Sequence, residues 1–152
     1  MRRVVSTCVV VAATLALITV GTAIGPAAAA SKKPVKISGT VNVHGTKDVS
    51  TTASPTLSVA LENFFFSPTF VKAKAGEVIT LKLANKGNVP HTFTSDALGV
   101  DEQLSPGDTM TVDITVPAGG GAFVYHCDFH GSAGMKGAVF TKAGVKATDS
   151  AS

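Results

Sequence analysis

Residues 109–116 read TMTVDITV, with Met110, Val112, Ile114 and Val116 alternating against Thr109, Thr111, Asp113 and Thr115. Successive side chains on a strand point to opposite faces, so this segment buries one face and solvates the other. The pattern places Met110 in the core. The same period of two recurs upstream, in Leu57, Val59 and Leu61, and again in Ile79, Leu81 and Leu83 against Thr80, Lys82 and Ala84. Turn-forming residues separate these runs: Ser67-Pro68, Lys74-Ala75-Gly76, Asn85-Lys86-Gly87-Asn88, Ser105-Pro106-Gly107-Asp108 and Pro117 to Gly121. Only 95–104 has room for a helical turn. Many short, regularly punctuated strands predict an all-β sandwich. Phe64, Phe65 and Phe66 cannot all point inward from a regular strand, so a bulge or strand end is expected there.

The chain has 152 residues, and its beginning reads differently from the rest. Met1-Arg2-Arg3 is a basic head, 4–20 is an apolar run broken only by Ser and Thr, and Ala27 to Ala30 supplies small residues. That three-part layout predicts a secretory signal peptide over 1–30, and hence an extracytoplasmic domain. An uncleaved anchor is the competing reading, because the run nearly spans a bilayer. Residues 31–55, rich in Lys, Ser, Thr and Gly, are expected to form a flexible linker, with a brief alternation from Ile37 to Val43. His44 is read there as a solvated histidine. The folded domain is expected over 56–142, with a disordered tail over 143–152.

Arg2 and Arg3 belong to the leader, and the remaining Lys and Arg of the 13 nearly balance 10 Asp and Glu. A nearly neutral mature chain lacks the basic footprint of a nucleic-acid binder. No other apolar run approaches membrane-spanning length, and a monomer is expected. Cys8 also leaves with the leader, so Cys127 is the remaining thiol. An intramolecular disulfide is then impossible. Such a cysteine pairs between molecules, stays reactive, or is committed to a metal.

Its neighbours favour the last. On the strand 122–127, Phe123, Tyr125 and Cys127 share a face, while Val124 and His126 point the other way. The loop that follows places His130 and Met135 after Cys127 in a Cys-x2-His-x4-Met pattern, and His91 stands upstream behind Pro90. Two imidazoles and a thiolate in a trigonal set, with a weak axial thioether, form the ligand field of blue copper. Gly131, Ser132, Ala133 and Gly134 are small enough to let the chain curl back and offer Met135. His91, Cys127, His130 and Met135 are therefore the expected ligands of one copper ion. Thiolate and imidazoles also suit zinc, but a thioether is a poor zinc ligand. Tyr125 is expected to be structural.

The segments Glu62 to Pro68, Val89-Pro90-His91, and Tyr125-His126-Cys127 through Met135-Lys136-Gly137 resemble the plastocyanin/amicyanin branch of the cupredoxins. The resemblance covers roughly 57–142. It implies a Greek-key β-sandwich holding one type 1 copper at one end, and a protein that shuttles single electrons between redox partners. It also implies that the loop histidine, His130, reaches the surface through an apolar patch, here Val89, Pro90, Phe129, Gly131 and Ala133. Thr92 stands where the family commonly has Asn, and Phe129 where it commonly has Pro. The resemblance implies a backbone N–H of Thr92 donating to the thiolate, and Thr92 and Asp128 are expected to tune the site from behind the ligands.

Two other readings compete. A copper chaperone or buffer would favour exposed Met and His clusters, and only Met110 and Met135 follow the leader. A multicopper oxidase or nitrite reductase needs further copper centres, and His91, His126 and His130 are too few to build one. A dinuclear centre of the oxidase-subunit kind would need a second Cys in the loop. No enzymatic activity is expected.

Overall fold

The computed structural model describes residues 34–147, so the leader expected over 1–30 and the last residues of the tail lie outside the described part. Among the described residues, ten strands build two sheets: β1 (Thr46–Asp48), β2 (Thr56–Glu62), β3 (Phe65–Ser67), β4 (Phe70–Lys72), β5 (Val78–Asn85), β6 (His91–Ser95), β7 (Val100–Leu104), β8 (Thr109–Thr115), β9 (Ala122–His126) and β10 (Lys136–Phe140). A six-stranded sheet runs β1-β4-β10-β9-β6-β7, and a four-stranded sheet runs β3-β2-β5-β8. The expected helical turn is a 3-10 turn at Asp96–Leu98, closed by Gly99 at a φ of 65°. Among the described residues no helix is long and apolar enough to cross a membrane.

The alternating runs lie side by side in the four-stranded sheet and turn one apolar face toward the six-stranded sheet. Leu57, Val59 and Leu61 of β2 and Ile79, Leu81 and Leu83 of β5 pack with Phe93 of β6 and Phe123 and Tyr125 of β9 in one buried cluster. Phe66, Phe93 and Tyr125 form its aromatic centre, with Phe93 stacked on Tyr125 at 4.5 Å and Phe66 edge-on to both. Such edge-to-face and offset pairs add to what area burial alone supplies. Ile114 of β8 is fully buried, whereas Met110 and Val112 are only partly covered, because β8 is the edge of its sheet. The Phe triplet resolves as a turn: Phe64 is exposed, and β3 begins at Phe65 with Phe66 inward.

The linker expectation is corrected for 34–55. Val35, Val41 and Val49 are buried, and β1 pairs in parallel with β4. Val35 and Val41 join Phe70, Ala122, Val124, Ala138 and Phe140 in a second buried cluster, with Ile37 and Val43 packed against it. The physical reason lies in β9 and β10, which are apolar on both faces. A sheet apolar on both faces needs a cover on each. The polar composition of 34–55 hid the few valines that supply one, each contributing about 2 kcal/mol when buried. The tail is corrected likewise over 143–147: Lys36 bridges Lys146, the N–H of Ala147 donates to the Lys36 carbonyl, and Ala147 is buried.

Candidate metal centre

The ends of β6 and β9 bring distant residues to one point. His91 opens β6, Cys127 follows the last residue of β9, and the loop after Cys127 returns to β10 through Met135. The loop folds on its own backbone. The N–H groups of His130 and Gly131 donate to the Cys127 carbonyl, the N–H of Met135 donates to the His130 carbonyl, and the N–H of Cys127 donates to the Met135 carbonyl. These bonds hold the two sulfur-bearing residues and His130 in one closed turn.

The donor atoms converge. Cys127 Sγ lies 3.4 Å from His130 Nδ1 and 3.8 Å from His91 Nδ1, and a ligand atom from each residue lies within 4.8 Å of the others. His91, Cys127 and Met135 are fully buried, and His130 is half-buried. Met135 shares the main core cluster with Cys127. Burial, reinforced by the neighbouring His130, holds the pKa of His91 below the usual histidine value, so its ring stays neutral and able to ligate. A buried thiolate and two imidazoles, with a buried thioether on the same loop, are the donor set that fits one copper ion.

The residues behind the donors fix their orientation. His91 Nε2 donates to Asn63 Oδ1 at 3.1 Å, which leaves Nδ1 as the lone-pair nitrogen facing the thiol. Asn63 in turn donates through Nδ2 to Asn88 Oδ1. The N–H of Thr92 lies 3.3 Å from Cys127 Sγ, and Thr92 Oγ1 accepts the N–H of Asp128 at 2.8 Å. A threonine hydroxyl on β6 thus ties that strand to the loop after Cys127. His126 points away from the thiol, as alternation requires, and pairs with Asp128 Oδ1 at 3.1 Å. Tyr125 is structural, its hydroxyl donating to the carbonyl of Thr69.

At the surface, Phe129 is 53% exposed, and Val89, Pro90, Gln103, Phe129 and His130 line a cleft of about 300 Å³. Ala133 is also exposed. Gly131, expected in the same patch, is buried: a Cβ there would stand 3.1 Å from the Cys127 carbonyl. It serves the turn instead of the surface. Sequence reading missed two residues here, Asn63 and Phe64, whose ring lies 4.3 Å from that of His130. The break in alternation at the Phe triplet was the available signal. His44 is exposed and stacks on Phe65 at 3.4 Å, apart from the donor cluster.

A chain of a heme-copper terminal oxidase dimer superposes with a TM-score of 0.52 at 15% identity, over 70% of this chain and 76% of that one. An auracyanin of Roseiflexus castenholzii gives 0.48 at 20% identity, over 59% and 98%. Auracyanin B gives 0.49 at 23% identity, over 65% and 96%. At 15% identity the likeness to the oxidase chain concerns the fold alone. No curated protein sequence matches the chain. The family model of the cupredoxin-like domain matches residues 10–140, and by that match the chain belongs to the cupredoxin-like family.

Proposed function

We propose that this chain is an extracytoplasmic type 1 copper protein that carries single electrons between redox partners. One observation carries the reading: a buried cysteine sulfur faced by the Nδ1 atoms of two histidines, one opening β6 and one in the loop before β10. His91, Cys127 and His130 are the equatorial ligands, and Met135 is the weak axial one. When bound, copper supplies one-electron exchange between its cupric and cuprous states. The protein's part is to keep the donors in one arrangement for both states. The backbone turn from Cys127 to Met135 and the Asn63–His91 bond both limit rearrangement.

His130 is the half-buried ligand beside the apolar cleft, and it is the exit for the electron. Val89, Pro90, Phe129 and Ala133 form the docking face around it. Partners are redox proteins, and no bond-making chemistry is required of the chain.

The test is a copper titration of the purified protein followed by visible and electron paramagnetic resonance spectra. An intense thiolate-to-copper band with a narrow cupric hyperfine splitting is expected, and Cys127→Ser should abolish the band. A colourless protein with an ordinary tetragonal spectrum would overturn the reading. Met135→Leu should keep the colour and raise the reduction potential, since the axial donor that favours cupric ion is lost. Ala133→Lys should slow electron transfer to the native partner.

A further inference from the structure

Asn42 lies in the segment that composition assigned to a linker, yet its side chain reaches the metal-ligand loop. Its Nδ2 donates to the carbonyl of Ala133 at 3.0 Å and to the carbonyl of Phe64 at 2.8 Å. Both partners are acceptors, so both amide protons are used and the side-chain orientation is fixed. The backbone N–H of Asn42 donates to the Gly134 carbonyl at 2.9 Å, adding a third tie beside Met135. Gly134 has a φ of +96°, and a Cβ there would lie 2.9 Å from Thr40 Cγ2 and 3.0 Å from Asn42 Oδ1. Segment and loop meet at backbone distance. The other carbonyl bound by Asn42 belongs to Phe64, the residue whose ring packs at a tilt against that of His130.

We propose that Asn42 is a positioning residue for the metal centre, clasping the Cys127–Met135 turn and the Phe64 turn together so that Met135 and His130 are held before a metal arrives. Asn42 touches no donor atom and acts through the two carbonyls. Its anchorage is independent of the loop: the carbonyl of Asn42 lies 3.2 Å from Thr69 Oγ1, which accepts the N–H of His44, and Val41 beside it is buried in the second cluster. The clasp therefore transmits the rigidity of the sheet to the loop. The inference rests on the proposed ligand set for its meaning, though the contacts stand without it.

The test uses the full chain with Asn42→Ala and Asn42→Asp, and Val35→Ala as a control that weakens the same cover far from the loop. Asn42→Asp keeps the shape, loses the donors and sets a carboxylate against two carbonyls. In the metal-free protein, amide hydrogen exchange at Cys127, Gly134 and Met135 should quicken about tenfold in both Asn42 variants, as expected for two lost hydrogen bonds, relative to the strand amides. In the copper-loaded protein, release of copper to a chelator should quicken by a similar factor. Val35→Ala should lower the melting temperature without this selective change. Loop amides exchanging at the wild-type rate in Asn42→Asp would overturn the clasp, and so would a selective loosening of the loop in Val35→Ala. Failure of the wild-type chain to form a blue site would instead overturn the proposed function, since the exchange measurement needs no metal.

Discussion

Asn63 Oδ1 accepts the Nε2–H of His91 at 3.1 Å, and Gly87 leaves the space in which the two meet. A ring that donates through Nε2 must present Nδ1 to the metal, so the amide selects the tautomer as well as the angle. Asn63→Ala should weaken copper binding about 10–100-fold, the usual range for a lost partner behind a metal-bound histidine. Gly87→Ala should do at least as much, because its Cβ would overlap Asn63 Oδ1 and come 2.8 Å from His91 Nε2. A competition titration against a chelator of known affinity checks both. Unchanged affinity in Asn63→Ala would remove the amide from the account.

Thr92 acts twice, and the two roles separate by substitution. Its N–H lies 3.3 Å from Cys127 Sγ, and its hydroxyl accepts the N–H of Asp128. Thr92→Val keeps the first and loses the second, so it should cost about 1 kcal/mol of stability by denaturant unfolding while leaving the visible band in place. Thr92→Pro removes the N–H itself. A donor to sulfur stabilises the more negative, reduced site, so Thr92→Pro should lower the reduction potential, measured by redox titration. A raised potential would contradict the donor role.

The strands that face the sandwich were legible because one face is buried and the other wet, which imprints a period of two on β2, β5 and β8. The convergence of Cys127 and His130 was legible because the two are close in sequence, and the candidate set of thiolate, imidazole and thioether suits few metals. Asn42 and Asn63 were not. Each works through contacts between segments far apart in the chain, to Ala133 in one case and His91 in the other. A lone asparagine in a polar stretch carries no local pattern that announces such a partner. The cover formed by 34–49 was hidden similarly: β9, with AFVYH apolar on both faces, implied a missing layer, but composition alone assigned that segment to solvent.

Tyr125 joins the core to the start of β4. Its hydroxyl donates to the carbonyl of Thr69 at 2.9 Å, and complete burial pushes its pKa far above the usual phenol value, so it stays neutral at every working pH. Tyr125→Phe should cost about 1 kcal/mol, at the lower end for a buried hydrogen bond, because the Thr69 carbonyl keeps the N–H of Ala138 as a partner. Gly137→Ala should cost considerably more. A Cβ at Gly137 would run into the Thr69 carbonyl and the Tyr125 ring, which neither backbone nor packed aromatic can vacate cheaply. Thermal unfolding of the metal-free proteins should rank wild type, Tyr125→Phe and Gly137→Ala in that order.

Asp48 gives the fold a dependence on acid that can be assigned to one carboxylate. Lys72 Nζ lies 2.8 Å from its Oδ2, and Ser50 donates to Oδ1 through both its hydroxyl and its N–H. Together these lower its pKa from 3.8 to about 2, the Lys72 hydrogen bond being the largest cause. A carboxyl whose pKa is lower folded than unfolded binds fewer protons when folded. Its contribution is therefore present above the unfolded pKa and is lost as pH falls through the folded one. Asp48→Asn should melt below wild type at pH 5, and the two melting curves should converge as pH falls from about 4 to about 2. The difference at pH 5 should be small and should shrink further in high salt, because both side chains are about half exposed. Its structural consequence is local to β1, the edge strand whose pairing partner β4 carries Lys72. Amide exchange along Thr46–Asp48 should quicken in the variant at pH 5 and match wild type near pH 2. Parallel melting curves across the whole range would mean that the carboxylate does not anchor this edge.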